Sequence, residues 1–234
     1  MIFKRIFFAI AGLLIINTAI LRAGDSAIFV DLGFSPDGSY YMFAQHGVRS
    51  ETLRPWADLF IVDVARNDFV PGGRITYVHD RPILPGQDGA GVMNSLIAQN
   101  AAIAGRYGIT FAHQGQPLYI ALEGDPAFRP EPITFRDFNS GISYRASLEE
   151  TIRGSGLNTQ SSFHITVERT TDTGSTGTFT VGTPIWRPLI TSYRIRRVLI
   201  DPTGSSLIFI IEMKRIAEGG TGLDVRYMIE ALRL

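Results

Sequence analysis

Two related stretches of the chain constrain its fold more than any other feature. Residues 34–65 align without a gap on residues 200–231, and seven of the 32 aligned positions are identical. Each stretch contains a Pro-x-Gly-Ser turn, which is followed by apolar and aromatic runs typical of β-strands. We therefore predict related three-strand units near both ends of a mainly β protein.

A secretory signal peptide is predicted over residues 1–23. The basic pair Lys4 and Arg5 precedes an apolar run over residues 6–16, which is short for a membrane span, and small residues follow it. Cleavage would leave a single β-rich domain, residues 24–234, with no membrane span. We expect this domain to be periplasmic or secreted.

The charge balance argues against a nucleic-acid-binding protein. The chain has 22 basic and 22 acidic residues, and loss of Lys4, Arg5 and Arg22 with the signal peptide would leave 19 basic residues and a net charge of −3. Nucleic-acid-binding domains instead carry a basic patch. The chain has no cysteine. Disulfides, cysteine-based metal sites and lipid attachment at a cysteine are therefore excluded.

One segment has convincing helical periodicity. Apolar residues recur at helical spacing over residues 92–107, which predicts one amphipathic helix with Asp88 as its N-cap and Gly108 as its stop. Elsewhere the patterns predict strands. These predicted strands are 27–32, 39–46, 57–65, 74–79, 117–122, 133–137, 142–149, 163–168, 179–181, 189–200, 206–216 and 224–232.

The strands favour antiparallel meanders in a two-sheet, sandwich-like domain. The alternative is an incomplete β-propeller-like stack in which the first and last units are neighbours. The offset of 166 residues between the related stretches is close to four blades of about 40–45 residues each. However, the predicted helix lies where a second blade should be, which favours the sandwich.

The chain resembles a family of bacterial predicted secreted proteins, domain of unknown function 2259. The resemblance is carried by residues 32–38, 106–109 and 224–231. It implies export and a single domain, but no activity and no site residues. A local resemblance at 34–65, in the turn 34–38 and the strand 58–63, is to the per-blade repeat of TolB-type propellers.

Five residues are candidates for ligand binding. Asp58 and Asp224 occupy matching positions in the two stretches and would suit acid–base chemistry in a shared cleft, although bonding to a neighbouring turn explains them better. Arg194 and Arg196 share a strand face and could hold an acidic ligand, although a solvated face is the default. Trp56 borders a loop. No catalytic residue, metal site or cofactor is predicted.

Other motifs carry less chemistry. His46 and His79 both end strands and could meet, but the histidines lack the spacing of a zinc site. The glycine-rich segment 86–91 lacks the lysine and hydroxyl of a phosphate loop, so we interpret it as a loop before the helix.

Three functional hypotheses follow. The favoured one is an exported, non-enzymatic domain that binds an envelope protein or a small ligand, because no catalytic constellation or nucleophile elbow is present. The second is an envelope hydrolase with a site assembled from distant loops, which uses carboxylates such as Asp37, Asp58 or Asp88. The third is a structural subunit of an oligomer whose first and last strands pair between chains.

Overall fold

The mainly β class is confirmed. A computed structural model describes residues 24–84, 86–122, 132–182, 184–217, 220 and 222–234, so the predicted signal peptide lies outside the described residues. Within them are 13 strands and two α-helices. The strands are β1 (Ile28–Phe34), β2 (Tyr40–Val48), β3 (Pro55–Asp63), β4 (Asp68–Val78), β5 (Gln116–Ile120), β6 (Ile133–Arg136), β7 (Ser143–Arg153), β8 (Gln160–Thr170), β9 (Thr176–Val181), β10 (Arg187–Pro188), β11 (Ile190–Ile200), β12 (Ser206–Ile216) and β13 (Leu223–Arg233).

The strands form three antiparallel sheets, where the sequence predicted two. Sheet I has the order β1-β2-β3-β4, and sheet II has the order β13-β12-β11-β5. Sheet III has the order β10-β8-β7-β6, with β9 also paired to β8. The predicted meanders and sandwich-like packing are confirmed, but sheet II is covered on both faces and so joins two sandwiches.

Strand β12 shows why a third sheet is required. Leu207, Phe209 and Ile211 belong to a core between sheets II and III, whereas Ile208 and Ile210 belong to a core between sheets I and II. Successive side chains of a strand point to opposite faces, so an unbroken apolar run must be buried on both sides. The other face of sheet I packs against the helices.

Two helices replace the single predicted one. Helix α1 (Ala90–Gln99) and helix α2 (Ala101–Arg106) are separated by Asn100, whose side chain donates to the Leu96 carbonyl at 2.8 Å. The predicted N-cap is also displaced, because Gly89 occupies that position. A Cβ at Gly89 would lie 2.6 Å from the Gly47 carbonyl oxygen, so close packing on β2 favours glycine there. Asp88 still accepts the Ala90 N–H, at 2.9 Å.

Sheet I covers the outer edge of β13. Three backbone N–H groups of β13 donate to the Asp25 carbonyl (2.8 Å), the Gln45 side chain (2.8 Å) and the Asn67 side chain (2.7 Å). Residues before β1 also form a parallel bridge to this strand, between Ser26 and Val225. The first and last parts of the described chain therefore meet within one molecule, which occupies the edge that an oligomer built on these strands would need.

Candidate functional site: the charged cleft

A cleft of about 390 Å³ opens where sheet I meets the β12–β13 hairpin of sheet II. Its volume falls within the usual range for small-molecule sites. Four acidic and four basic side chains contribute to its lining. We call this cavity the charged cleft, and its lining residues are Asp25, Arg49, Ser50, Glu51, Thr52, Trp56, Asp58, Arg74, Thr76, Val78, Arg215, Ala217, Asp224 and Arg226.

The floor of the cleft is a closed network around Asp25. One carboxylate oxygen of Asp25, Oδ2, accepts from Trp56 Nε1 at 2.6 Å and from Arg226 Nη2 at 2.9 Å. The Arg226 guanidinium also lies 4.2 Å from the centre of the Trp56 ring, a cation–π contact. Trp56 is only 4% exposed. It therefore holds Arg226 and Asp25 in place and offers no open ring face to a ligand.

Asp224 supports the same network from β13. Its Oδ1 accepts the backbone N–H of Asp25 at 2.9 Å, and its Oδ2 lies 3.6 Å from Arg226 Nη2. This is the backbone-bonding role that the sequence favoured over catalysis. Asp224 thus ties the segment before β1 to the start of β13.

Asp58 projects into the cleft from β3. It is half-buried, and its Oδ2 accepts from Gln45 Nε2 at 3.0 Å. Burial raises the pKa of Asp58, against the opposing effects of hydrogen bonds from Thr76 and Gln45 and of the positive charges on Arg226 and Arg74. A carboxylate in this setting is suited to accept a hydrogen bond from a ligand.

Burial also raises the pKa of Asp25, although the positive charge of Arg226 and the hydrogen bond from Trp56 oppose the shift. Its second carboxylate oxygen, Oδ1, is buried and has no hydrogen-bond partner among the described residues. Buried polar atoms are usually paired, so this oxygen marks the floor as a place where a donor is missing.

Three arginines surround the mouth of the cleft. Arg49 and Arg74 are exposed, and Arg215 is partly buried. Within the described part of the chain, none of the three forms an ion pair with an acidic side chain. Guanidinium groups bind carboxylates and phosphates through paired hydrogen bonds, so this rim is suited to an acidic group.

The structure brings three of the five predicted candidates together. Trp56, Asp58 and Asp224 all line the charged cleft, whereas Arg194 and Arg196 do not. Arg196 Nε lies 3.9 Å from a Glu212 carboxylate oxygen on β12, and Arg194 donates to the Leu122 carbonyl at 3.4 Å.

Sequence reasoning missed the arginines of the cleft, although a signal for two of them was present. Arg49 and Arg215 are one of the seven identical pairs of the repeat, as are Asp58 and Asp224. All four residues line the charged cleft. Arg226 follows Asp224 by two residues on one strand, so the two side chains share a face.

The remaining candidates do not assemble into one site. Asp88 and His79 line a different cavity, of about 690 Å³, beside α1. His46 is buried, and burial lowers its pKa against the opposing charge of Asp88. Asp37 lies in the β1–β2 turn. Among the described residues, no three potential ligands are grouped to hold a metal ion.

The comparison with known families agrees with this picture. Residues 42–233 match the sequence profile of the family described as predicted secreted protein, DUF2259. The chain belongs to this family. The predicted family is thus confirmed, and the description supports export without naming an activity. No curated protein matches the chain.

The match includes every lining residue of the charged cleft except Asp25. It does not support the local resemblance to TolB-type propellers, which stays a prediction. No helix among the described residues is long and apolar enough to cross a membrane.

Proposed function

We propose that this protein is an exported, non-enzymatic binding domain whose charged cleft holds a small ligand with an acidic group. The main observation in support of this proposal is the group of three arginines at the rim of the charged cleft. Arg49, Arg74 and Arg215 surround a cavity of about 390 Å³. Within the described residues none of the three forms an ion pair with an acidic side chain, although the charge of Arg74 acts on the nearby Asp58. An acidic ligand group would supply that partner.

A rigid floor supports the same proposal. Asp25, Trp56 and Arg226 fix one another through two hydrogen bonds and a cation–π contact. Binding therefore requires little reordering of these side chains, which lowers its entropic cost. The floor places Asp58 beside the rim, where its carboxylate suits a hydroxyl or amine of the ligand.

Carboxylates and phosphates are the chemistry to test first. Succinate, glutamate and inorganic phosphate would be titrated by calorimetry into the purified exported protein, at low and high salt. We expect saturable binding of at least one probe, weakened by salt because two of the three rim arginines, Arg49 and Arg74, are exposed. Native mass spectrometry of the protein from the exporting cell would also detect a ligand that stays bound.

Substitutions can distinguish the arginines of the charged cleft from arginines elsewhere in the protein. The double variant Arg74→Gln, Arg215→Gln should lower probe affinity at least tenfold, whereas Arg194→Gln, outside the cleft, should leave it unchanged. If no probe binds, or if Arg194→Gln is the damaging change, the charged cleft is not the acidic-ligand site.

A hydrolase remains the second candidate, favoured by one observation. Burial raises the pKa of Asp58 in a cleft, a property often found in catalytic acids. The hypothesis requires turnover of an ester, phosphate, peptide or glycan substrate by the purified protein. Turnover that survives in a folded Asp58→Asn variant would exclude Asp58 as the acid.

A further inference from the structure

A third cavity, of about 810 Å³, lies at the other end of the β12 strand from the charged cleft. It is bounded by the turn over residues 137–142, the turn over residues 201–205 and the start of β5. Because none of its lining residues lines the charged cleft, the two cavities can be tested independently. We call it the turn cavity.

Two buried hydrogen-bond donors in its wall have no acceptor in the part of the chain that the structure describes. Tyr144 is only 3% exposed, and its hydroxyl has no hydrogen-bond partner among the described residues; the same holds for Nε of Arg169. The two residues are direct partners on β7 and β8, so their side chains lie side by side. Such buried donors are normally paired, and one acceptor between them would serve both.

The Tyr144 ring is held in place. It stacks on Phe135 of β6, and the ring centres are 5.3 Å apart. Burial raises the pKa of the Tyr144 hydroxyl, and the nearby charges of Arg169 and Asp137 act on it in opposite directions. The hydroxyl therefore stays protonated at neutral pH and is available as a donor.

Two carboxylates line the same cavity. Asp137 accepts the Asn139 N–H at 2.9 Å and the Ser140 hydroxyl at 2.5 Å, and Asp201 is bonded in a similar way within its own turn. A carboxylate has about four lone-pair positions, so both retain capacity to accept from a ligand. With Arg169, these groups give the side chains of the lining a net charge of −1, which disfavours an anionic ligand.

We propose that the turn cavity binds a neutral sugar. One ligand oxygen accepts from Tyr144 and Arg169, and ligand hydroxyls donate to Asp137 and Asp201. A sugar meets both requirements because each hydroxyl is donor and acceptor, and because it brings no charge against the carboxylates. The amide side chain of Gln116, also in the lining, offers a further polar contact.

The test uses glucose, galactose, mannose and N-acetylglucosamine as probes, with acetate and phosphate as anionic probes. Saturation-transfer NMR on the purified exported protein would measure each affinity. We expect saturable binding of at least one sugar, reduced at least tenfold by Tyr144→Phe and by Arg169→Gln. Arg145→Gln, on the opposite face of β7, is the matched control and should leave the affinity unchanged.

Melting temperatures supply a second readout. Without sugar, Tyr144→Phe should melt no lower than wild type, because the hydroxyl of Tyr144 has no hydrogen-bond partner to lose among the described residues. Tyr193→Phe should melt about 2–4 °C lower, because its hydroxyl is bonded to the buried Ser161 side chain at 2.8 Å. The proposal is overturned if no sugar binds, if both cavity variants keep wild-type affinity, if only the anions bind, or if Tyr144→Phe melts as low as Tyr193→Phe.

Discussion

The turns that begin the two related units have the same backbone conformation, but the positions of their carboxylate and hydroxyl side chains are interchanged. In Ser35–Ser39 and in Asp201–Ser205, the glycine has a positive φ (69° and 73°) and donates to the first residue's carbonyl at 3.0 Å. Ser35 donates to Asp37 in the first turn, and Thr203 donates to Asp201 in the second, both at 2.6 Å. Each turn therefore contains a carboxylate–hydroxyl pair, and the carboxylate is Asp37 at the third position of the first turn and Asp201 at the first position of the second.

Beyond the turns, the two units diverge in register. Gln45 pairs with Asp58 in the first unit, whereas Ile211, which is 166 residues after Gln45, pairs with Met228 in the second. Asp224 pairs instead with Arg215. The pairing is thus shifted by four residues, so the matching aspartates of the sequence are not at equivalent places in their hairpins. The internal repeat of three-strand units therefore stays a prediction.

The clearest contrast between the units is which core each one fills. Phe43 and Phe209 are identical positions of the repeat, but Phe43 packs between sheets I and II and Phe209 packs between sheets II and III. The units therefore follow one another in a stack, each directing the same side chain toward the next sheet. Helix α1 covers the outer face of sheet I.

The largest expected effect on stability comes from truncating the side chains at these two matched positions. Phe43→Ala and Phe209→Ala should each lower the free energy of unfolding by about 3–5 kcal/mol, because both rings are almost fully buried. Urea denaturation followed by fluorescence and circular dichroism would measure both. Phe138→Ala, at an 84% exposed position, is the control and should change little.

Coincident transitions in both variants would show that the stacked sheets unfold together. Separate transitions, with each substitution moving only one of them, would instead show that the two cores are independent units.

The next largest expected effect is a difference in stability between variants of Asp224 and Asp58. Asp224→Ala should cost about 1–3 kcal/mol, because it leaves the buried Asp25 N–H without its acceptor. Asp58→Ala should cost less at neutral pH, about 1 kcal/mol or below. It leaves the buried Gln45 side chain without its acceptor, but it also removes a carboxylate whose charged form is penalised by burial. Thermal denaturation of both variants at pH 7 would measure the contrast, and equal losses would contradict it.

The pH dependence of the free energy of unfolding further tests the role of Asp58. The pKa of Asp58 is raised above its ordinary value of 3.8 on folding. The native state therefore holds its proton more tightly, and this group's contribution to stability is lost as pH rises from about 3.8 through the raised value. Asp58→Asn should lack that loss, so its stability relative to wild type should increase over this pH interval.

The sequence predicted the individual strands better than it predicted the number and the stacking of the sheets. The alternation along β7 and β8 gave strands that the structure confirms. The break at Asn100, whose side chain bonds the Leu96 carbonyl, was missed because single-residue preferences do not specify it. The strand residues around Gly72 were missed because glycine has a low strand preference, whereas Gly73 packs closely on the Ile61 backbone. The unbroken apolar run of β12 was the one local sign of a doubly covered sheet.

The charged cleft was predictable only in part. The repeat alignment contained both pairs that converge there, Asp58 with Asp224 and Arg49 with Arg215. It could not show that Asp25, almost 200 residues from Asp224, would lie between them. That contact depends on the packing of sheet I against β13, which no local pattern encodes.

Exchanging the hydroxyl and carboxylate side chains of the first turn tests what stabilises it: the presence of the pair, or the position that each group occupies. Asp37→Thr alone should cost about 1 kcal/mol, because it removes the carboxylate that accepts from Ser35 and Ser39. Ser35→Asp alone places two carboxylates together and should also destabilise. The double variant reproduces the second turn and should recover most of both losses, a coupling that urea denaturation of the four proteins would measure. Simple additivity would contradict the interpretation.

The smallest effect concerns the charge of Asp37. Hydrogen bonds from Ser35 and Ser39 lower the pKa of this carboxyl from 3.8 to about 2. Its contribution to stability is therefore present above about pH 4 and is lost as pH falls from about 4 to about 2. Because the group is exposed, solvent screening limits this contribution to about 0.5 kcal/mol.

Asp37→Asn should flatten the stability curve over that interval, as measured by urea denaturation at closely spaced pH values. Ser35→Ala should move the fall toward higher pH, because it removes the largest cause of the lowered pKa. If wild type and Asp37→Asn instead gave parallel curves below pH 4, the turn would be held by its backbone alone. The exchange of carboxylate and hydroxyl between the two units would then have no energetic meaning.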